Sequence, residues 1–158
     1  MSTGSERRIA RVTALPGDIE QLCLLSEGEG LRFLRRLIKD WECGDNRFDQ
    51  PGEALFAVEL DGQLAGVGGI NCDCDDPHLG RVRRVYVHPD FRRRGVGTAL
   101  IRTIETHAAG RFKRLVLFTE SWAAAGFYDQ LAYRPIVGHP QRSHEKMLAT
   151  SISVRESL

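Results

Sequence analysis

The stretch Val85-Tyr-Val-His-Pro-Asp-Phe-Arg-Arg-Arg-Gly-Val-Gly-Thr-Ala-Leu100 decides how this chain is read. Val85–Val87 has the β-branched and aromatic make-up of a strand, and Pro89 ends it because proline brings no N–H to a ladder. Gly95 and Gly97 then stand at the start of a helix to about Ala109, with Val96, Leu100, Ile104 and Ala108 on one stripe. A helix start offers unpaired backbone N–H groups and a positive dipole end, which together bind phosphate. Glycine removes the Cβ that would hold a ligand off the backbone. Arg92, Arg93 and Arg94 add cations that oppose the dipole unless an anion compensates them. A diphosphate is the natural ligand. A dinucleotide fingerprint does not fit, because Gly95-Val-Gly97-Thr-Ala-Leu100 lacks the third small residue and no acidic ribose ligand follows. A Walker-type loop fails for want of a Gly-Lys-Ser/Thr ending.

Outward from this stretch the elements alternate. Towards the N-terminus, Ile9–Val12 predicts a short strand, Asp18 a capped helix to about Ser26 with Ile19, Leu22 and Leu25 on one face, and Leu31–Trp41 a second helix. That second helix sets Leu31, Leu34, Ile38 and Trp41 at helical spacing. Residues 42–52 are polar and read as a loop. Ala54–Leu60 and Gln63–Ile70 are strands joined by Asp61-Gly62, a pair that tolerates a tight positive-φ turn. Gly66, Gly68 and Gly69 weaken the return strand, so something packs close to its backbone. Val82–Val87 is the next strand. Beyond the helix, Leu115–Phe118 is apolar enough for a strand covered on both faces. Ser121 caps a helix to about Leu131, and Tyr133–Val137 and Lys146–Thr150 close the chain as strands. The order β-α-α-β-β-β-α-β-α-β-β predicts an α+β or three-layer α/β domain with a mixed sheet.

With 158 residues, the chain suits one domain over 1–158, with 1–7 expected as a disordered lead-in. A net charge of +1 gives no global field towards nucleic acid or an anionic membrane. No run approaches the roughly 20 apolar residues of a membrane span. Cys23, Cys43, Cys72 and Cys74 are too few and too irregular for a disulfide scaffold, and free thiols in a reducing cytoplasm are the simpler expectation.

Arg92-Arg93-Arg94-Gly95-Val96-Gly97 resembles the Gln/Arg-x-x-Gly-x-Gly/Ala pyrophosphate loop of the GNAT (GCN5-related) N-acetyltransferases. Val85-Tyr-Val-His-Pro89 is similar to that family's central strand, and Ala124-Ala-Gly-Phe-Tyr128-Asp-Gln-Leu-Ala-Tyr133 to its second signature. The resemblance implies a mixed, mostly antiparallel sheet of about seven strands flanked by about four helices. It implies acetyl-CoA as co-substrate, a small-molecule or peptide amine as acceptor, and dimers as a common state of relatives. No metal, nucleic acid or membrane is called for. Backbone amides of Arg93 to Gly97, with Arg92, Val96 and Thr98 nearby, would hold the pyrophosphate. The strand carrying Val85 and Val87 would pair with the pantetheine arm, the Val85 amide would polarise the acetyl carbonyl, and Tyr128 would protonate the departing thiolate. A phenol with a pKa of about 10 can donate to a thiolate with one of about 8.5. Two positions depart from the family pattern. Ser121 replaces an asparagine that holds pantetheine, and its shorter hydroxyl can cap the helix instead. Ala132 replaces a glycine, so the turn there is expected to be either less extreme or slightly strained.

An aliphatic amine is only about one part in a thousand neutral near pH 7.4, so a base, a water relay or a pKa-lowering pocket is needed. Arg81, Arg83 and Arg84 occupy the strand where some relatives carry a glutamate, which leaves Glu120 as the candidate base, against a solvated position near a helix start. Cys72-Asp-Cys-Asp-Asp-Pro-His78 lacks the second half of a zinc site and reads as an acidic loop. Asp75, Asp76 or His78 could there meet a cationic acceptor. His88 is read as structural, and Phe33, Trp41, Phe48, Trp122 and Phe127 as core or pocket wall. The acceptor pocket implied by the resemblance spans about Leu24–Gly52, with Arg32, Arg35, Arg36 and Lys39 on an exposed face that is solvated or meets an acidic acceptor. A non-catalytic acyl-CoA-binding module is the alternative reading.

Overall fold

In the computed structural model, which describes residues 6–149, the chain runs β1 (Arg7–Arg11), α1 (Ile19–Gly28), α2 (Phe33–Cys43), β2 (Ala54–Leu60), β3 (Gln63–Cys72) and β4 (Leu79–Val87). A 3-10 turn at Pro89–Phe91 leads to α3 (Val96–Ala108), β5 (Arg114–Leu117), α4 (Trp122–Gln130), β6 (Arg134–Pro135) and β7 (His144–Met147). One sheet of seven strands has the order β1-β2-β3-β4-β5-β7-β6. Its neighbours are antiparallel except β4 and β5. This is the expected mixed, mostly antiparallel sheet with four helices.

Strand alternation divides the sequence between two cores. Along β2, Ala54, Phe56, Val58 and Leu60 face α3, while Leu55 points to α1 and α2. The α3 stripe of Val96, Leu100, Ile101, Ile104 and Ala108 is fully buried against the first face, and each large side chain there contributes roughly 1.5–3 kcal/mol by leaving water. The glycines of β3 allow close approach from both sides. A Cβ on Gly69 would sit 2.6 Å from the Phe48 ring, and one on Gly66 would sit 3.1 Å from Val96 Cγ1. Asp61 and Gly62 take φ of 50° and 83°, the paired left-handed conformation that a two-residue hairpin requires.

Several expectations move. Glu6 N donates to Asp61 Oδ1 at 2.9 Å and Arg7 pairs with Leu60, so the lead-in expected over 1–7 is shorter, and its residues 1–5 lie outside those described. Leu25 is exposed, and Cys23 and Ser26 complete the buried face of α1 instead. Asp18 begins α1 without a side-chain cap bond. β5 stops at Leu117, which leaves Phe118 about half exposed, and Trp122 stands almost wholly in solvent at the start of α4 instead of lining a core. Pro135 confines β6 to two residues. Thr150, expected in the last strand, lies outside the described residues. No helix among the described residues is long and apolar enough to cross a membrane.

Candidate active site

Among the described residues β4 pairs with β5 only at Leu79, Gly80 and Arg81, so from Val82 to Val87 it runs on with no strand partner among them on its β5-side edge. On the other edge it stays bonded to β3, but the register slips between Gly69↔Arg83 and Val67↔Tyr86. One extra β4 residue is accommodated there as a bulge, with Arg84 at φ 62°. Past the bulge, His88 N donates to Ala65 O on β3. Alternation therefore turns the amides of Val87 and, two residues back, Val85 towards the open edge.

The open edge leads to the start of α3. Gly95 is its N-cap, at φ 78°, and the space beside it is clear to the Arg7 guanidinium at 4.0 Å. Ala99 N makes the first helical bond, to Gly95 O, so the amides of Val96, Gly97 and Thr98 have no acceptor among the described residues. Gly97 instead makes room for α4, since a Cβ there would approach the Phe127 ring to 3.1 Å. Arg93, itself at φ 64°, and Arg94 are exposed and make no ion pair among the described residues, while Arg94 lies over the Phe91 ring. Arg92 is placed differently. Its guanidinium is held by Glu29 at 2.7 and 2.8 Å, lies over Tyr86, and donates to Val87 O. Its charge is thus met within the protein, at the junction of α1 and α2. Tyr86 also donates its hydroxyl to Glu29. Hydrogen bonds from Arg92 and Tyr86 hold the Glu29 carboxyl at about 2, below its usual 4.5, so Glu29 is an anion and no base.

A diphosphate suits this loop: among the described residues the amides at the helix start have no acceptor, Arg93 and Arg94 make no ion pair, and the edge of β4 has no strand partner. α4 supplies the other expected residues. Ser121 accepts from Ala124 N, which commits its hydroxyl to capping. Tyr128 is buried among Phe127, Tyr133 and His144. Burial pushes its phenol well above the usual value, so it carries its proton and can only give it up. Its hydroxyl makes no hydrogen bond among the described residues, which leaves it available. Ala132 takes φ 71°, so of the two expected turns, less extreme or slightly strained, the strained one is present. Glu120 is exposed just past β5 and forms no ion pair among the described residues.

On the face of β4 that α1 and α2 cover, the chain concentrates arginine. Arg81 and Arg142 both grip Asp73, at 3.1 and 3.3 Å, and Arg81 also donates to Gln141 O. This buried triad ties the β6–β7 loop to the turn before β4. Burial disfavours the Asp73 charge, but the Asp75 amide and the two guanidiniums outweigh it and hold the carboxyl below its ordinary range. The Cys72–His78 segment is therefore organised by ion pairs and turn hydrogen bonds, as an acidic structural loop. His88 accepts from Asp90 N, in keeping with a structural part. Neither the Arg84 bulge nor the Asp73 triad follows from the sequence pattern. Arg35, one of the expected exposed cations of α2, is committed to Glu20 and Glu27 at 2.8 and 2.9 Å.

A sequence model of the acetyltransferase (GNAT) domain matches residues 51–135, more than half of the chain. The chain belongs to the GNAT acetyltransferase family. An uncharacterized N-acetyltransferase of Methanocaldococcus jannaschii is 32% identical over 90 residues, 51% of this chain and 39% of that protein. An acetyltransferase of Pectobacterium atrosepticum is 28% identical over 97 residues, 58% of this chain and 65% of that protein. The chain thus aligns with less than two thirds of the length of either relative. The crystal structure of a candidate acetyltransferase from Exiguobacterium sp. 255-15 superposes with a TM-score of 0.82 at 28% identity, covering 96% of this chain and 98% of that one. N-acetylglutamate synthase from Neisseria gonorrhoeae, solved with coenzyme A and N-acetyl-glutamate, shares the fold at a TM-score of 0.69 and 18% identity, over 91% of this chain and 36% of that one. The GNAT match begins just before β2 and ends in β6. It contains the loop at Gly95 and Tyr128, while β1, α1 and α2 lie outside it.

Proposed function

We propose that this protein transfers the acetyl group of acetyl-CoA to a primary amine of a small molecule or peptide. The observation that carries the reading is the junction of two unsatisfied backbone surfaces: the open edge of β4 from Val82 to Val87, and the free amides at the start of α3. When bound, acetyl-CoA supplies an acyl thioester, an electrophile that the chain itself lacks. The amides of Val96, Gly97 and Thr98, with those of Arg93 to Gly95 beside them, bind the pyrophosphate, and Arg93 and Arg94 neutralise it. The Val85 and Val87 amides pair with the pantetheine arm. The Val85 amide also polarises the thioester carbonyl as the neutral amine attacks. Tyr128 then gives its phenolic proton to the sulfur as the C–S bond breaks, the amine loses one proton to solvent, directly or through Glu120, and the phenolate takes one back from solvent. The coenzyme A held by the Neisseria synthase, a GNAT-like fold, supports the choice of ligand.

A thiol-release assay with acetyl-CoA against a panel of amines tests this. Acceptor-dependent release is expected, with Tyr128→Phe lowering kcat by about 100-fold or more while acetyl-CoA affinity stays within about twofold. Tight acetyl-CoA binding with no turnover on any acceptor would favour a non-catalytic acyl-CoA-binding module instead.

A further inference from the structure

The bulge in β4 presents a cationic surface that the transfer chemistry does not use. Val82 and Val85 pack into the α3 core, whereas Arg84 turns towards α2, where its only carboxylate partner among the described residues is Asp40 at 3.9 Å. The Arg84 side chain is 13% exposed, and its Nε is buried without any hydrogen-bond partner. Burying such a donor unpaired is costly, and a bound anion would relieve it. Arg83 and Arg36 stand close by without ion pairs among the described residues, and Asp73, the nearby second carboxylate, is already taken by Arg81 and Arg142. Three guanidiniums therefore face one distant carboxylate. Burial and the neighbouring Arg83 and Arg36 guanidiniums disfavour the charge of Arg84, which is the electrostatic setting of a site awaiting an anion. Arg84 directly precedes Val85, whose amide faces the open edge, so the cationic face and the proposed transfer site meet on adjacent residues of β4. A guanidinium matches a carboxylate with paired hydrogen bonds.

We propose that Arg84, with Arg83 and Arg36, binds a carboxylate of the acceptor, so that the substrate is a small amine that also carries a carboxylate, as amino acids do. This rests on the acetyl-transfer reading and names its acceptor class. A solvated arginine face would show no such selectivity.

Calorimetric titration of the protein saturated with coenzyme A, using a panel of amino acids each beside its carboxamide, tests the inference without requiring turnover. The acids should bind about 10–100-fold more tightly than their amides. Arg84→Gln should close that gap and Arg84→Lys should keep part of it. Thermal melting checks that each variant folds, and Arg83→Gln, with a smaller loss of the same selectivity, gives an independent second variant. Equal affinity for acids and amides, or binding of neither, would overturn the inference. A separate titration with acetyl-CoA keeps the two readings apart. Acetyl-CoA binding without acid preference removes this inference alone, while acid preference in a protein that ignores acetyl-CoA removes the acceptor role together with the transferase reading.

Discussion

The proposed cofactor and acceptor halves of the site are built by different means. On the cofactor half, from Val85 through Gly97, the ligand-facing groups are mostly backbone amides fixed by one contiguous stretch of sequence. On the proposed acceptor half they are side chains brought together from α2 and β4, braced by ion pairs from the end of α1, the turn before β4 and the β6–β7 loop. A backbone site needs only glycine, a strand end and a helix start, so it survives wide sequence change. A side-chain site can be rewritten one residue at a time, which is how one fold takes many acceptors. The family match spans the first half and the arginines of β4, and stops short of α1 and α2.

The strongest way to break this contrast is to remove Asp73. With Arg81 and Arg142 left buried and uncompensated, Asp73→Ala should cost about 3–5 kcal/mol in urea unfolding. Acetyl-CoA affinity should change little below the unfolding range. The sign with pH follows from the depressed carboxyl: the triad stabilises fully above the ordinary value of 3.8 and is lost as pH falls through the lower folded value.

Ala132→Gly acts outside both halves, at the turn that follows α4. Relieving a left-handed φ of 71° should stabilise by about 1 kcal/mol, a rise of about 2–4 °C in Tm. An unchanged or lower Tm would mean that the turn carries no strain. The smallest effect is expected where the halves meet. Glu29→Gln frees Arg92 beside the phosphate loop, so acetyl-CoA should bind more tightly, by about threefold, in calorimetry. In the wild type the Glu29–Arg92 contribution is complete above 4.5 and disappears only as pH falls through about 2. Weaker acetyl-CoA binding in Glu29→Gln would show that Glu29 positions the loop instead of competing with it.

The same division explains what the sequence made legible. β2 keeps its predicted bounds, and the Asp61-Gly62 turn and the start of α3 at Val96 fall where expected, because short-range chemistry settles them. The bulge at Arg84 is invisible locally, since nothing about an arginine asks for positive φ and the pairing with β3 imposes it. Arg92 reads as a phosphate ligand until α1 and α2 bring Glu29 to it across 63 positions. Asp73 and Arg142 lie 69 positions apart, and no local pattern relates them. Leu25 fits the helical stripe of α1 as well as Cys23 does, and only packing against α2 and the sheet chooses between them.

The proposed reaction depends on the open edge of β4 and the start of α3 holding acetyl-CoA. Calorimetric titration with acetyl-CoA, run beside Gly95→Trp, probes that dependence without an acceptor. The variant fills the clear space at Gly95 and costs about 1–2 kcal/mol in backbone strain, so a melting curve confirms that it stays folded. Saturable binding is expected, one acetyl-CoA per chain, weakened at least about tenfold by the tryptophan. No binding by the wild type, or equal binding by the folded variant, would place the cofactor elsewhere or nowhere on this chain.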